Sequence, residues 1–355
     1  MKADTFLLSA ALATGLLVAP GLHAQEQSGK VAEVEAMIGL ADGANPRGFI
    51  QRSTPQGITF STTPGGSGRQ IAYQQIRGEG ASKAVRFQER AEALGPARAL
   101  FADEQYEKAA EAFGKVARNY AVILFVPGNF ALEAFFFEAE SLRRSGQYEK
   151  LAELMDLTVA DTMNTLLGER YQDSVEFLEL WGLYGSGNME ALDSALAVYQ
   201  EPVVGDDSLL GVPKFKKMPA SELAQIAFLR AEVMFGKGEK VRALDDYYRA
   251  FTVGYGNDPS LARLAMLQAM RLHAEDPASA REGGAVESHL QSLAYLYSRR
   301  FGTGGLDPEL QDYIVRPEMK PLQTAGGGDS EAASEGDGEG EENAAETTSG
   351  EEGDE

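Results

Sequence analysis

From about Ser82 to Arg300, apolar residues return every three or four positions with few β-branched runs between them. That spacing predicts amphipathic helices. The helices come in pairs, because one short pattern recurs. Asp103-Glu104-Gln105-Tyr106 leads to Ala109 and Phe113, and Ser145-Gly146-Gln147-Tyr148 leads to Leu151 and Met155. Gly187-Asn188-Met189 leads to Leu192 and Leu196, and Gly238-Glu239-Lys240 leads to Ala243, Tyr247 and Ala250. Six and nine residues before each anchor lie apolar positions: Leu100 and Ala97, Leu142 and Ala139, Leu183 and Leu180, Met234 and Ala231. A polar turn flanked by such positions reads as the bend of a helical hairpin. Pro259 to Phe301 predicts one or two further pairs and a cap, with Tyr295, Leu296 and Tyr297 covering the end.

This unit resembles the tetratricopeptide repeat. Ala231, Gly238, Ala243, Tyr247 and Ala250 match it best, followed by Ala139, Gly146 and Tyr148. The chain departs from the family in its spacing: the anchors lie 42, 41 and 51 residues apart, against about 34 in the family. Leu151 and Leu192 replace the small residue at the helix crossing, and the helix-ending Pro is missing from its usual place. A loop from Glu201 to Pro219 accounts for part of the excess. The resemblance implies a mainly α fold, an α-α superhelix of degenerate hairpins over residues 81–322. It also implies a concave, partner-binding face lined by the first helix of each pair. On that template the groove residues are Phe101, Phe136, Glu140, Phe177, Trp181, Tyr184, Phe228, Glu232 and Phe235. Trp181 and Tyr184 stand out, lying three apart on one helix face.

Ahead of the helices the pattern changes to short alternating runs within residues 25–80. Phe49-Ile50, Ile58 to Ser61 and Ile71 to Tyr73 are β-prone and are separated by Pro- and Gly-bearing turns. Alternation puts Ile58 with Phe60 on one face and Ile71 with Tyr73 on another, in a small antiparallel meander. Val31 to Leu40 adds another strand or a short helix. In its spacing this stretch resembles the strongly bent Sm-like or SH3-like modules that open some secreted bacterial repeat proteins.

The two ends differ from the middle. Lys2, the apolar run Phe6 to Ala19, the break at Pro20-Gly21 and the small Ala24 read as a cleaved signal peptide over residues 1–24. Export to the periplasm or beyond follows, with no integral span once the leader is removed. Residues 323–355 carry twelve acidic side chains from Asp329 to Glu355 and no large apolar residue. That stretch is expected to stay disordered.

Charge and composition then narrow the chemistry. The chain of 355 residues has a net charge of −22 and no Cys. More than half of that charge sits in the tail, which leaves a moderately acidic body of −10 over residues 25–323. Such a balance disfavours nucleic acid. The lack of Cys excludes disulfides, thiol catalysis and thiolate-held metals. Beyond the leader the only histidines are His273 and His289, neither in a recognisable motif. No nucleophile elbow, phosphate loop or dinucleotide fingerprint occurs, so no catalytic, metal or cofactor site is expected. The expected function is a non-catalytic envelope scaffold that binds a protein or peptide in an assembly or transport complex. In kind it resembles the periplasmic tetratricopeptide proteins that serve outer-membrane biogenesis or energised envelope machinery. Two alternatives stand beside it: a cell-wall glycan-binding protein using the β module, and a carboxylate-dependent glycan hydrolase.

Overall fold

The computed structural model describes residues 33–77, 84–155, 162–163, 166–167, 169–199, 218–276 and 284–315. The chain divides into Met1–Val315 and Arg316–Glu355, and every described residue belongs to the first unit. The expected leader (residues 1–24), the acidic tail and most of the Glu201 to Pro219 loop lie outside the described residues.

Five strands open the chain: β1 Val34–Ile38, β2 Arg47–Thr54, β3 Gly57–Ser61, β4 Arg69–Ala72 and β5 Val85–Phe87. They form one antiparallel sheet in the order β4-β3-β2-β1-β5, with a 3-10 turn at Tyr73–Gln75 before the last strand. The segment expected as strand or helix upstream is therefore the strand β1. The sheet also runs past the expected boundary at residue 80, because Val85–Phe87 pairs back onto β1. A second correction concerns facing. Ile71 pairs directly with Ile58, so Ile58, Phe60 and Ile71 share one buried face, while Tyr73 has left the strand. A register shift between Ile50 and Arg52 changes the alternation along β2. It turns Ser53 inward, where its Oγ accepts from the Phe125 amide at 3.1 Å and ties the sheet to the helices.

The helices are α1 Arg90–Ala102, α2 Tyr106–Asn119, α3 Phe130–Arg144 and α4 Tyr148–Met155. They continue as α5 Glu169–Gly185, α6 Met189–Leu196, α7 Ala220–Gly236 and α8 Lys240–Gly254. The last three are α9 Pro259–Ala274, α10 Ala285–Phe301 and α11 Pro308–Gln311. No helix among the described residues is long and apolar enough to cross a membrane.

Four hairpins, α1/α2, α3/α4, α5/α6 and α7/α8, bend in the same way. Residue 104, 146, 187 or 238 takes a positive φ of 58°, 76°, 70° or 77°. The amide of that residue returns to a carbonyl three back, and the next amide returns to Leu100, Leu142, Leu183 or Met234 at 2.9–3.1 Å. This is the Schellman closure, which satisfies the orphan carbonyls of the first helix and starts the second at once. Glycine meets the left-handed requirement at three of the four bends; Glu104 meets it with a side chain attached.

Successive hairpins stack. α2 packs on α3, α4 on α5, α6 on α7 and α8 on α9. The first helices also touch in series, α1 to α3, α3 to α5, α5 to α7 and α7 to α9. α3 is consequently covered on nearly all sides, and Phe130 to Phe136 are buried without a break. Its entry is fixed by Asn129, whose Oδ1 accepts from the Leu132 amide at 2.7 Å. The Asn129 amide nitrogen donates to the Leu124 and Val126 carbonyls.

Candidate functional site

The last turn of α3, the first turn of α4, the end of α5 and the middle of α7 converge on a column of rings. Tyr148 stacks on Trp181 with centroids 5.1 Å apart, and Trp181 stacks on Phe228 at 5.5 Å. Phe228 continues to Tyr247 at 5.8 Å, and Tyr184 meets Tyr148 edge-on at 5.2 Å. Three successive hairpins are thus joined through aromatic faces, an arrangement that favours burial and fixes relative position. Trp181 also donates Nε1–H to Gln225 Oε1 at 2.8 Å.

Above this column lies a cavity of about 690 Å³ lined by Tyr148, Tyr184, Met189, Gly185 and Glu232, with Gln147, Glu149 and Lys150 among its remaining walls. Gly185 is required there, because a Cβ would collide with the Tyr148 carbonyl oxygen. Close approach at that point sets Tyr148 and Tyr184 against each other. Glu232 Oε2 accepts from the Tyr184 hydroxyl at 3.0 Å, and Oε1 accepts from the Tyr247 hydroxyl at 2.6 Å. Burial pushes the Glu232 carboxyl above the ordinary range, and the two hydroxyls pull it back only in part. Burial, reinforced by Glu232, pushes both tyrosines up. Tyr148 is pushed up by burial as well, and its hydroxyl makes no hydrogen bond among the described residues. The cavity therefore offers aromatic walls, a thioether, a buried carboxyl and a free tyrosine hydroxyl. Its walls are of mixed apolar and polar character.

Of the nine groove residues expected from sequence, two line this cavity: Tyr184 and Glu232. Trp181 and Phe228 are fully buried, and Phe177 and Phe136 nearly so, which leaves them no surface for a partner. They pack helix on helix: Phe177 lies against Tyr199, and Phe136 against Phe137 and Tyr171. Phe101 is half-buried among Tyr106, Phe113 and Phe137, with the Arg144 guanidinium over its ring at 5.1 Å. Glu140 is consumed by Arg143 and Arg144. Phe235 is exposed at the end of α7 and is not among the cavity walls. Tyr148 and Met189 are site residues that the groove assignment passed over. Their signal was their place as anchors directly after a bend. His273 and His289 meet on α9 and α10 with ring centroids 5.6 Å apart, and Tyr248 reaches His273 Nε2 at 2.9 Å. Burial and the neighbouring His289 lower the His273 pKa.

No group of three or more His, Cys, Asp or Glu suited to hold a metal ion occurs among the described residues. No protein-family model, curated protein or solved structure matches the chain.

Proposed function

We propose that this chain is an exported, non-catalytic helical-repeat scaffold that holds an extended segment of a protein partner, one side chain of which enters the cavity above Trp181. The observation that carries this reading is the cavity itself. It gathers Tyr148, Met189, Tyr184 and Glu232 from three consecutive hairpins and leaves the Tyr148 hydroxyl free for a ligand. The repeated bend supports kinship with tetratricopeptide-like arrays, since the same closure falls at each anchor. The strand order and the 3-10 turn before β5 support the SH3-like reading of the opening sheet. The leader-like residues 1–24 support placement in the envelope.

A photo-crosslinking residue placed at Met189 tests the site in the exporting cell. A crosslinked protein is expected from Met189 and not from Val241, an exposed apolar position (77% accessible) on α8. Equal capture at both positions overturns the cavity assignment. Retention of the purified chain on cell-wall glycan without any protein crosslink moves the function to glycan binding.

A further inference from the structure

Among the described residues, the buried carboxylates of the helical body are satisfied oxygen by oxygen, with one exception. Glu133 receives Arg90 and Arg98, one on each oxygen. Asp246 receives Arg249 and Arg230, and Asp258 receives Arg143 and the Leu261 amide. Glu232 takes two tyrosine hydroxyls. Glu138 alone is left half-used. Its Oε1 accepts from Arg118 at 3.0 Å, while Oε2 is buried with no hydrogen-bond partner, in a side chain on a residue 7% exposed. A buried acceptor without a donor is costly, more so when charged, and native proteins rarely leave one without purpose.

Glu138 helps form a cleft of about 640 Å³ between α2, α3 and α4. Glu107, Glu111 and Glu153 stand around it, and Ala110, Leu142 and Leu154 supply apolar wall. Among the described residues, no cation reaches the free oxygen. Lys150 is held by Gln147 Oε1 at 2.6 Å, and Arg118 spends its guanidinium on Oε1 with its side chain 57% exposed. Gly114 makes room for the ion pair that occupies Oε1, since a Cβ there would collide with Arg118 Nη2 and stand 2.5 Å from Oε1. That glycine lies inside α2, where it costs helix stability.

We propose that this cleft binds an alkylammonium group, from a lysine side chain or a free polyamine, with Glu138 Oε2 accepting its N–H and the three outer glutamates attracting its charge. An ammonium fits better than a guanidinium. Its donors converge on a single oxygen, whereas the planar fork of arginine needs the oxygen that Arg118 already holds. The apolar wall takes the methylene stem. The site is separate from the cavity above Trp181 and does not depend on it, although Gln147 and Lys150 border both.

Calorimetric titration of the chain, freed of its leader, with spermidine and with a lysine-containing peptide tests this. Saturable binding is expected for at least one probe, weakened by salt and lost when the peptide lysine is acetylated. Binding of spermidine marks a free amine as sufficient; binding of the peptide alone marks a protein source. Glu138→Gln is expected to weaken binding at least about tenfold, or ~1.4 kcal/mol. Its thermal transition should stay at or above that of the parent, which shows that the fold is kept. Val241→Ser, at an exposed position of α8 that borders neither the cleft nor the cavity, is expected to leave binding unchanged. Unaltered affinity in Glu138→Gln, or no saturation by either probe at millimolar concentration, overturns the proposal.

Discussion

Arg143 Nη2 donates to Asp258 Oδ2 at 2.7 Å across 115 residues of sequence, and the two side chains are only 3% and 2% exposed. The contact joins the last turn of α3 to the cap of α9. Asp258 serves twice, because its other oxygen accepts from the Leu261 amide at 3.1 Å and starts α9. Arg143 also holds Glu140 through two hydrogen bonds and lies 5.7 Å from the Trp181 ring centroid. The second hairpin is thereby locked to the start of α9. This closure helps explain why residues expected on an open groove are buried.

Arg143→Met is expected to destabilise the chain by about 3–5 kcal/mol, because Asp258 is left buried without its cation. Asp258→Asn keeps a capping oxygen and removes the charge. The double variant should therefore recover about 1–3 kcal/mol relative to additivity. A double-mutant cycle by chemical denaturation measures it. An additive result would show that the two charges do not stabilise each other.

The four bends make a second prediction. Glu104 carries φ 58° where the other hairpins use glycine. Left-handed backbone costs a side-chain-bearing residue about 1–2 kcal/mol, and glycine returns about 0.4–1 kcal/mol of that as extra freedom in the unfolded chain. Glu104→Gly is thus expected to stabilise by about 0.5–1 kcal/mol, and Gly146→Ala to destabilise by about 1 kcal/mol. Opposite displacements of the denaturation midpoint at unchanged slope check both.

The bends were legible in the sequence because their physics is local. A left-handed residue, an apolar position four before it and a helix start directly after it leave a mark in any hairpin, and even Glu104 kept the rest of the pattern. The strands β2, β3 and β4 were legible for the same reason, in their turns. What the sequence withheld was long-range. Val85–Phe87 is three residues long and is a strand only because β1 lies beside it. Trp181 and Phe228 were expected on an open groove and are instead fully buried. Periodicity cannot show that Tyr148 and Tyr247 cover them from neighbouring hairpins. Glu232 was placed on the groove by the resemblance, but its two tyrosine donors come from α5 and α8 and belong to the packing alone.

Stability should respond to acid in two opposite ways. Burial raises the Glu140 carboxyl, but Arg143 and Arg144 outweigh it and hold the group at about 2. A depressed carboxyl gives stability that is present above the unfolded value, ~4.3, and lost as pH falls toward 2. Glu138, Glu232 and Asp246 are raised by burial. Their contribution is complete below the unfolded range and lost as pH rises through their folded values. The chain is expected to gain stability on going from neutral to mildly acidic pH, then lose it below about 4. Glu140→Gln should flatten the loss at low pH and leave the mildly acidic gain in place. Thermal transitions recorded across that range decide it, and a monotonic decline from pH 7 downward contradicts the raised carboxyls.

Trp181 is the chain's only tryptophan, and it is fully buried between Tyr148 and Phe228. Its emission is expected to be blue-shifted and shielded from a soluble quencher in the native protein, because no ring atom is offered to water. The ring touches the floor of the cavity through Tyr148 and Tyr184. A side chain entering from above must press on those two tyrosines, so partner binding should change Trp181 emission without exposing it to quencher. Spermidine bound at Glu138 should leave that emission unaltered, since the Glu138 cleft is not lined by Trp181, Tyr148 or Tyr184. Fluorescence titration with each ligand therefore separates the two sites in one experiment. An emission change of equal size with both ligands would mean that the cleft and the cavity are coupled through the Gln147–Lys150 rim they share.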